Sequence, residues 1–361
     1  MTPTALAINL THTHTPEYMQ TEQLIGQLFL TGFYGESVTA KSPVIHDIQE
    51  RNLGGVIFFD RFLAGKKQFN NIISHNQVKE LTSRLQDTAG GQLLIAVDQE
   101  GGQVNRFRKE SGFPQTPPAQ ELGESTDTTR TRNASSATAR LLLDIGCNFN
   151  LAPVVDINSF PDNPIIGRYK RSFSDLHDMV TKHAAAWIEE HHQRGIHCCL
   201  KHFPGHGSSR ADSHLGFVDI TDSWQSSELT PYRSLLKEGL VDSVMTGHLY
   251  NRSIDFEYPA TLSASTISIL KKDLGFNGPL LSDDMQMGAI TSRYGLEQAV
   301  CLAIQAGVDM VVVGNNLAYD QNILSKLVKA VLNSIKRGDI SEQRLYDAYH
   351  RVQKLKQPLQ Q

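Results

Sequence analysis

Short apolar segments rich in β-branched residues recur along the chain and alternate with longer amphipathic segments. Eight such short segments are present, at residues 28–33, 54–59, 93–98, 150–157, 197–203, 243–248, 279–283 and 309–314. Their apolar residues are continuous rather than alternating, which is typical of strands buried on both faces, as parallel strands between helices are. The pattern therefore predicts a parallel sheet built from these segments.

The segments between the predicted strands repeat apolar residues at helical spacing. The clearest predicted helices lie at residues 76–89, 139–146, 176–195, 229–239, 296–307, 324–338 and 341–356. Eight alternating strand and helix units over 361 residues are typical of a TIM-type (β/α)8 barrel. A doubly wound α/β sheet is the alternative, but no Gly-x-Gly-x-x-Gly fingerprint follows the first strand. We therefore predict one barrel domain at residues 19–361, after a flexible extension at residues 1–18.

The composition of the chain limits the kinds of molecule that we expect it to bind. Charged residues make up 20% of the chain and the formal net charge is −4, so the basic footprint of a nucleic-acid binder is absent. The chain has neither an apolar run of about 18 residues, as a membrane span needs, nor a secretory signal pattern. The four cysteines, of which two are adjacent, fit neither a disulfide framework nor a zinc site. We expect a cytoplasmic protein that binds neither nucleic acid nor membrane.

Polar side chains stand where five of the predicted strands end. These residues are Asp98, Asp156, Lys201, His202, His248, Asp283 and Asp284. The carboxyl ends of barrel strands meet at one face, and that face carries the active site of TIM-barrel enzymes. A single strand-end residue could simply cap a helix. Seven of them on one face favour a catalytic or binding site.

The segment from Lys201 to Gly216 combines histidines with glycine and serine in a predicted loop. Within it Asp212 stands two residues before His214, close enough for the carboxylate to hold one ring nitrogen while the other faces a substrate. Histidine titrates near neutral pH, as a residue that serves first as acid and then as base requires. An isolated Asp-x-His pair would be interpreted as two solvent-exposed loop residues without a catalytic role. Its position beside the strand-end residues favours a catalytic pair.

Several motifs together carry a family resemblance. They are KHFPGHG followed by ADSH, AVDQEGGQVNRF (96–107), NLAPVVDI (150–157), VMTGHLY (244–250), PATLS (259–263) and LLSDDMQMGAI (281–291). Together, and in their order along the chain, these motifs resemble those of the β-N-acetylglucosaminidases of glycoside hydrolase family 3, from about residue 22 to the end of the eighth predicted strand.

The resemblance implies a retaining glycosidase that removes terminal, nonreducing β-linked N-acetylglucosamine. It implies Asp283 as the nucleophile, His214 as the acid/base and Asp212 as its orienting partner. The residues implied to bind the sugar are Asp98, Arg106, Arg171, Lys201 and His202. The implied substrates are small carbohydrates, namely muropeptides from peptidoglycan recycling or chitooligosaccharides.

Three positions depart from the family pattern. The stretch IIGRYKRSF (165–173) is two residues longer than the usual Ile-Gly-x-Arg-Ser-Phe, so the sugar-binding arginine is Arg171, in register with Ser-Phe, or Arg168. Gln103 stands where a second arginine is expected, and Gln99 where a histidine is frequent. These changes affect the sugar specificity more than the class of reaction.

Other functions stay open. A phosphorylase or a β-glucosidase of the same family would share the mechanism, and a sugar-binding barrel without catalysis would share the fold. Histidines such as His202, His206 and His248 near aspartates could indicate a metal hydrolase. Metal-dependent barrels usually carry His-x-His after the first strand, and TGFYGE (31–36) has no histidine. We therefore expect no metal and no cofactor.

Overall fold

Eight parallel strands form a ring in the computed structural model, which describes residues 21–213 and 216–359. They are β1 (Phe29–Gly32), β2 (Gly55–Phe58), β3 (Leu94–Val97), β4 (Phe149–Asn150), β5 (His197–Phe203), β6 (Ser243–Thr246), β7 (Leu280–Ser282) and β8 (Val311–Val313). Each strand pairs with the next along the chain, and β8 pairs with β1. A parallel bridge between Leu281 and Met310 joins β7 to β8. The predicted single-domain barrel is confirmed, whereas the predicted extension at residues 1–18 lies outside the described residues.

Helices cover the outside of the ring. They are α1 (Thr21–Gly26), α2 (Pro43–Arg51), α3 (His75–Thr88), α4 (Ala119–Leu122), α5 (Thr129–Asp144), α6 (His177–His192), α7 (Thr230–Lys237), α8 (Ala264–Ser268), α9 (Gly288–Thr291), α10 (Leu296–Ala306), α11 (Ile323–Arg337) and α12 (Glu342–Leu355). Two small sheets lie outside the ring, an antiparallel pair of Gln99–Gly101 with Val104–Asn105 and a parallel pair of Val218–Asp219 with Leu249–Tyr250. Within the described ranges, no helix is long and apolar enough to cross a membrane.

The last helix closes one end of the barrel. Val352 and Leu355 of α12 belong to the apolar cluster that fills the ring, together with side chains from all eight strands. Gln357, just after α12, accepts a hydrogen bond at 3.1 Å from the Nε2 of His197, which begins β5. Gln353 of α12 bonds Gln27, just before β1, at 2.7 Å. Because α12 covers the amino-terminal ends of the strands, the carboxyl ends remain for a site.

The fourth strand is shorter than predicted. The apolar run 150–157 predicts one long strand, but only Phe149–Asn150 forms regular ladder pairs. Pro153 interrupts the ladder because proline has no N–H to donate. The chain still follows β5 beyond this point, since the backbone N–H of Val155 donates to the carbonyl of Lys201 at 2.9 Å.

Helix α2 and the first half of α5 were not predicted, and neither were the short helices α1, α4, α8 and α9. Helix α2 is only 9 residues long, and its signals are the Ser42-Pro43 start and a left-handed Asn52 at its end. Helix α5 begins ten residues before the predicted 139–146, because its first half is rich in serine and threonine, which lack an apolar stripe. Two of those hydroxyls are buried against α6, where Thr131 Oγ1 bonds His183 Nδ1 at 2.7 Å and Ser135 Oγ bonds His191 Nδ1 at 2.9 Å.

A buried carboxylate anchors the start of β8. Asp309 is fully buried and lies within 2.7 Å of Lys271 Nζ, 2.9 Å of Arg344 Nη2 and 3.2 Å of Arg351 Nη1. It also accepts the backbone N–H of Leu280 at 3.0 Å, which ties β7 to β8. One carboxylate thus holds three cations from two other parts of the chain.

Replacing Asp309 by alanine should lower the free energy of unfolding by about 3 kcal/mol or more, because removing one partner of a buried ion pair leaves the remaining charges uncompensated. Urea denaturation measures the change. The matched control is Asp339→Ala, since Asp339 pairs with Arg337 at an exposed site and should cost less than about 1 kcal/mol. Equal losses in the two variants would contradict the anchoring role of Asp309.

Candidate active site

A cavity of about 310 Å³ opens at the carboxyl ends of the strands. Seven of the eight predicted site residues line it: Asp98, Arg106, Arg171, Lys201, His202, Asp212 and Asp283. The eighth, His214, lies outside the described residues. A neighbouring cavity of about 280 Å³ shares Asp98, Arg106 and Asp283 with the first. The structure therefore brings together residues that are up to 185 positions apart, from Asp98 to Asp283.

Lys201 is the centre of the charged wall of this cavity. Its Nζ lies 2.8 Å from Asp98 Oδ1 and 2.7 Å from Glu100 Oε1, and the residue is 1% exposed. Burial lowers the pKa of Lys201, but the two carboxylates outweigh burial and raise it above its ordinary value. Burial would likewise raise the pKa of Asp98, yet Lys201 and Arg106 hold it well below its usual range. Lys201 and Asp98 are therefore both charged at neutral pH.

Arg171 extends the same network. Its Nε and Nη2 each lie 2.8 Å from one oxygen of Glu100, which is the two-point geometry of a strong arginine–carboxylate pair. Burial raises the pKa of Glu100, but Arg171 and Lys201 lower it to about 2. Arg171 is buried and lines the cavity, whereas Arg168 is exposed and is not among the lining residues. Of the two candidate arginines, the structure places Arg171 in the cavity.

His202 is oriented from both sides. Its Nδ1 lies 2.7 Å from Asp156 Oδ2, and its backbone N–H donates to Asp156 Oδ1 at 3.1 Å. Arg171 Nη2 lies 3.3 Å from the other ring nitrogen. This arrangement fits an imidazole that donates Nδ1–H to Asp156 and accepts from Arg171 at Nε2. Burial raises the pKa of Asp156, but His202 lowers it below its ordinary value.

Asp283 and Asp284 both follow β7 but make different contacts. Asp283 lines both cavities, and its Oδ1 accepts the backbone N–H of Asp284 at 2.8 Å. The Oδ1 of Asp284 accepts the backbone N–H groups of Gln286 at 3.0 Å and Gly314 at 2.9 Å. His248 bonds the Asp284 carbonyl at 3.0 Å. Asp284 thus ties the turn after β7 to the end of β8, and this turn presents Asp283 to the cavity.

The loop after β5 is clamped at its beginning. Asn163 donates to the carbonyl of His206 at 2.8 Å and to Ser209 Oγ at 3.1 Å. The ring of His206 bonds Ser209 Oγ at 2.6 Å and Ser213 Oγ at 3.2 Å. Burial, with the nearby His202, lowers the pKa of His206 to about 4, so this ring is neutral near pH 7. His206 is a structural centre of the loop, and Asp212 beyond it reaches the cavity.

Glu100, Asp60 and Arg108 were missed as site residues. Glu100 could have been predicted from the sequence. It stands two residues after Asp98 in an extended segment, where alternate side chains share a face. Asp60 follows β2 as the other site aspartates follow their strands. Its Oδ2 lies 2.6 Å from Arg108 Nε, and both residues line the second cavity. Nothing in the local pattern marks Arg108.

The cavity walls combine fixed anions and cations at close range. Such groups accept from and donate to hydroxyl and amide groups of a ligand, and charge-assisted hydrogen bonds of this kind are the strong ones. Since most of the charges are already paired with each other, the cavity suits a neutral ligand with many hydroxyl groups.

Comparison with known proteins identifies relatives. A family model described as the glycosyl hydrolase family 3 N terminal domain matches residues 20–355. The chain is 35% identical over 295 residues to a beta-hexosaminidase of Tolumonas auensis, which covers 78% of this chain and 83% of that protein. It is 36% identical over 226 residues to the beta-hexosaminidase LpqI of Mycobacterium tuberculosis, which covers 60% of this chain and 57% of LpqI.

Solved structures of the same kind superpose on the chain. A glycoside hydrolase family 3 beta-N-acetylglucosaminidase from a Paenibacillus species gives a TM-score of 0.85 at 30% identity and covers 94% of this chain and 62% of that one. LpqI of M. tuberculosis gives a TM-score of 0.81 at 27% identity and covers 95% of each chain.

The Glu100 network predicts a pH-dependent contribution to stability. Because Glu100 has a pKa of about 2 in the fold against an ordinary value of 4.5, the folded state favours its ionised form. Its contribution should be complete above about pH 5.5 and be lost as the pH falls from about 4.5 towards about 2. The free energy of unfolding of the wild type minus that of Glu100→Gln, measured in urea, should shrink over this window. A difference that stays constant between pH 5.5 and pH 3 would contradict it.

Proposed function

The chain belongs to glycosyl hydrolase family 3 and is a glycoside hydrolase, and on that premise we propose that it is a retaining β-N-acetylglucosaminidase acting on terminal, nonreducing β-linked N-acetylglucosamine. One observation carries the proposal. Asp283, at the end of β7, shares a cavity with the paired charges of Asp98, Lys201 and Arg171. A carboxylate for attack and a set of groups for holding the sugar thus occupy one site.

The charged wall supplies the sugar-binding groups. Asp98 accepts hydrogen bonds from hydroxyls, while Arg106, Lys201 and Arg171 donate to hydroxyl oxygens and to the acetamido carbonyl. Because these side chains are locked by one another, they cost little reorganisation when the sugar binds. A substrate without the acetamido group should bind less well, because the donor that bonds the acetamido carbonyl would be left without an acceptor.

The reaction follows from a nucleophile and an acid/base. Asp283 attacks the anomeric carbon, the glycosidic bond breaks, and a covalent glycosyl-enzyme forms. The leaving oxygen takes a proton from His214, which then removes a proton from the water that hydrolyses the intermediate. Asp212 orients His214. The backbone N–H of Asp284 fixes the carboxylate of Asp283 from one side, which supports its role as nucleophile.

The second cavity supports an anionic leaving group. Arg61 and Arg108 line it together with Leu63 and Leu317. Arg61 and Arg108 both lie beside the single carboxylate of Asp60, at 3.7 and 2.6 Å, so this part of the cavity offers two guanidinium groups to an anionic group of the leaving sugar. Muramic acid carries a carboxylate that chitooligosaccharides lack. We therefore infer that the natural substrates are N-acetylglucosamine-containing peptidoglycan fragments, and a role in cytoplasmic recycling of cell-wall material stays part of this proposal.

The substrate profile tests the proposed activity. Aryl β-N-acetylglucosaminides should be cleaved at least about 100-fold faster in kcat/KM than the matching β-glucosides, because the unused donors penalise a substrate that lacks the acetamido group. Among disaccharides, N-acetylglucosaminyl-muramic acid should be preferred over chitobiose. Comparable rates on the two aryl glycosides would contradict the hexosaminidase assignment. Addition of phosphate is the control, since sugar 1-phosphate in place of free sugar would identify a phosphorylase.

Substitutions of the two proposed catalytic residues should reduce activity in different ways. Asp283→Ala should abolish turnover of every substrate, because no glycosyl-enzyme can form. His214→Ala should slow cleavage of sugar alcohol leaving groups by roughly 10²–10⁴-fold, the usual worth of general acid catalysis. With a dinitrophenyl leaving group, which needs no proton, the first step should persist, and azide should restore turnover and yield the β-glycosyl azide.

The matched control is His46→Ala, which removes an exposed histidine of α2 that lines neither cavity. It should leave both rates as in the wild type. If His214→Ala lost activity equally on both leaving groups, and azide gave no product, another residue would have to be the acid/base.

A further inference from the structure

A buried carboxyl group that the proposed mechanism does not use lies behind the loop after β5. Glu228 is 3% exposed, both of its carboxyl oxygens are buried, and it lines a separate cavity of about 410 Å³. Ser208 of the loop lines the same cavity. Glu228 stands just before α7, in a short 3-10 turn at Ser226–Leu229.

Glu228 packs directly on the loop backbone. A Cβ placed on Gly205 would lie only 2.6 Å from Glu228 Oε2, and Gly205 has a φ of +130°. Glycine is therefore required at this position both by the backbone conformation and by the close approach of the carboxyl group. The hydroxyl and N–H of Ser208 lie near enough to influence the carboxyl, although neither completes a hydrogen bond of ordinary geometry.

The same stretch of loop is held on its other sides. The indole N–H of Trp224 donates to the carbonyl of Pro204 at 3.0 Å. Asn163 and Asp156 hold His206, through its carbonyl at 2.8 Å and its N–H at 2.8 Å respectively. Glu228 thus completes the support under Gly205 and Ser208, and this support leads to Asp212 and Ser213, which line the proposed active site.

The surroundings of Glu228 oppose its ionisation. Among the described parts of the chain, no lysine, arginine or histidine nitrogen lies within 4.0 Å of its carboxyl oxygens. Burial raises the pKa of Glu228 to about 7, Ser208 lowers it, and the charge of Asp156 raises it further. The other titratable groups that face it are the buried Tyr232 of α7 and the cavity-lining residues Asp175, His177, Arg210 and Asp222. Those four are exposed to water, which screens their charges.

We propose that Glu228 is a positioning residue of the active-site loop, whose neutral carboxyl group supports the backbone at Gly205 and Ser208 and whose ionisation displaces that support. Both carboxyl oxygens are shielded from the adjacent cavity, so an ionised carboxylate could be hydrated from that cavity only if the side chain or the loop backbone that covers it moved. The conformation that brings Asp212 and Ser213 to the cavity would then be less populated at alkaline pH. This inference rests on the proposed function for its activity readout only.

The test replaces the carboxyl by an amide that cannot ionise. For Glu228→Gln and the wild type, kcat/KM is measured on an aryl β-N-acetylglucosaminide from pH 5 to pH 8.5. The ratio of the variant to the wild type cancels groups common to both, His214 included. With half-ionisation near pH 7, the ratio should rise by about tenfold between pH 6 and pH 8. A ratio that stays within about twofold would overturn the proposal.

Hydrogen exchange tests the displacement without any assay of activity. Peptides covering residues 203–211 should exchange faster in the wild type than in Glu228→Gln at pH 8, and at equal rates at pH 6. Equal exchange at both pH values would overturn the proposal even if the kinetic ratio rose. If the wild type did not cleave the substrate, the proposed function would be wrong, and the exchange result alone would decide the role of Glu228.

Asp47→Asn is the matched control. Asp47 of α2 is another carboxyl group whose pKa is raised by burial, to about 6, against the opposing effect of Arg51, and it lines neither active-site cavity. Its kinetic ratio to the wild type should stay flat from pH 5 to pH 8.5. A rise like that of Glu228→Gln would show a general effect of buried carboxyl groups and overturn the specific role. If Glu228→Gln does not fold, the wild-type exchange profile must still show a step near pH 7.

Discussion

Burying the ammonium group of Lys201 at the open end of a barrel is the constraint on which the site depends. A buried charge is tolerated only when it is paired, and here β3 and its hairpin supply Asp98 and Glu100 at 2.8 and 2.7 Å. One lysine cannot neutralise two carboxylates. Arg106 therefore pairs with Asp98 as well, and Arg171 pairs with Glu100. Each member of the network fixes the rotamer of the next, which yields a rigid wall of donors and acceptors beside Asp283.

The two ends of the barrel use buried charge for different purposes. At the start of β8, Asp309 pairs with Lys271, Arg344 and Arg351, and α12 covers the strand ends nearby. At the carboxyl ends the charges surround a cavity, so the same desolvated groups remain available to a ligand. Stability and binding are thus placed at opposite ends of one sheet, which lets the loops around the cavity vary without loss of the core.

The sequence predicted those features of the fold and the site that depend on local patterns of residues. Continuous apolar runs predicted the barrel strands because burial on both faces needs an uninterrupted run, and strand-end position predicted Asp98, Lys201 and Asp283. It could not choose between Arg168 and Arg171, which the structure separates by burial, nor find the partner of Arg171. Glu100 and Arg171 are 71 positions apart, and only the fold pairs them. Glu228 was missed for the same reason, since its role depends on Gly205, 23 positions away.

The identity of the nucleophile is the claim that most directly links this geometry to a reaction. Incubation with a 5-fluoro N-acetylglucosaminyl fluoride should form a glycosyl-enzyme that hydrolyses slowly, because the fluorine destabilises the transition state of the second step. Peptide mapping by mass spectrometry should then find one sugar per chain, attached to Asp283. Attachment to Asp284 or Asp98, or no covalent sugar while the enzyme still turns over its substrate, would contradict the account.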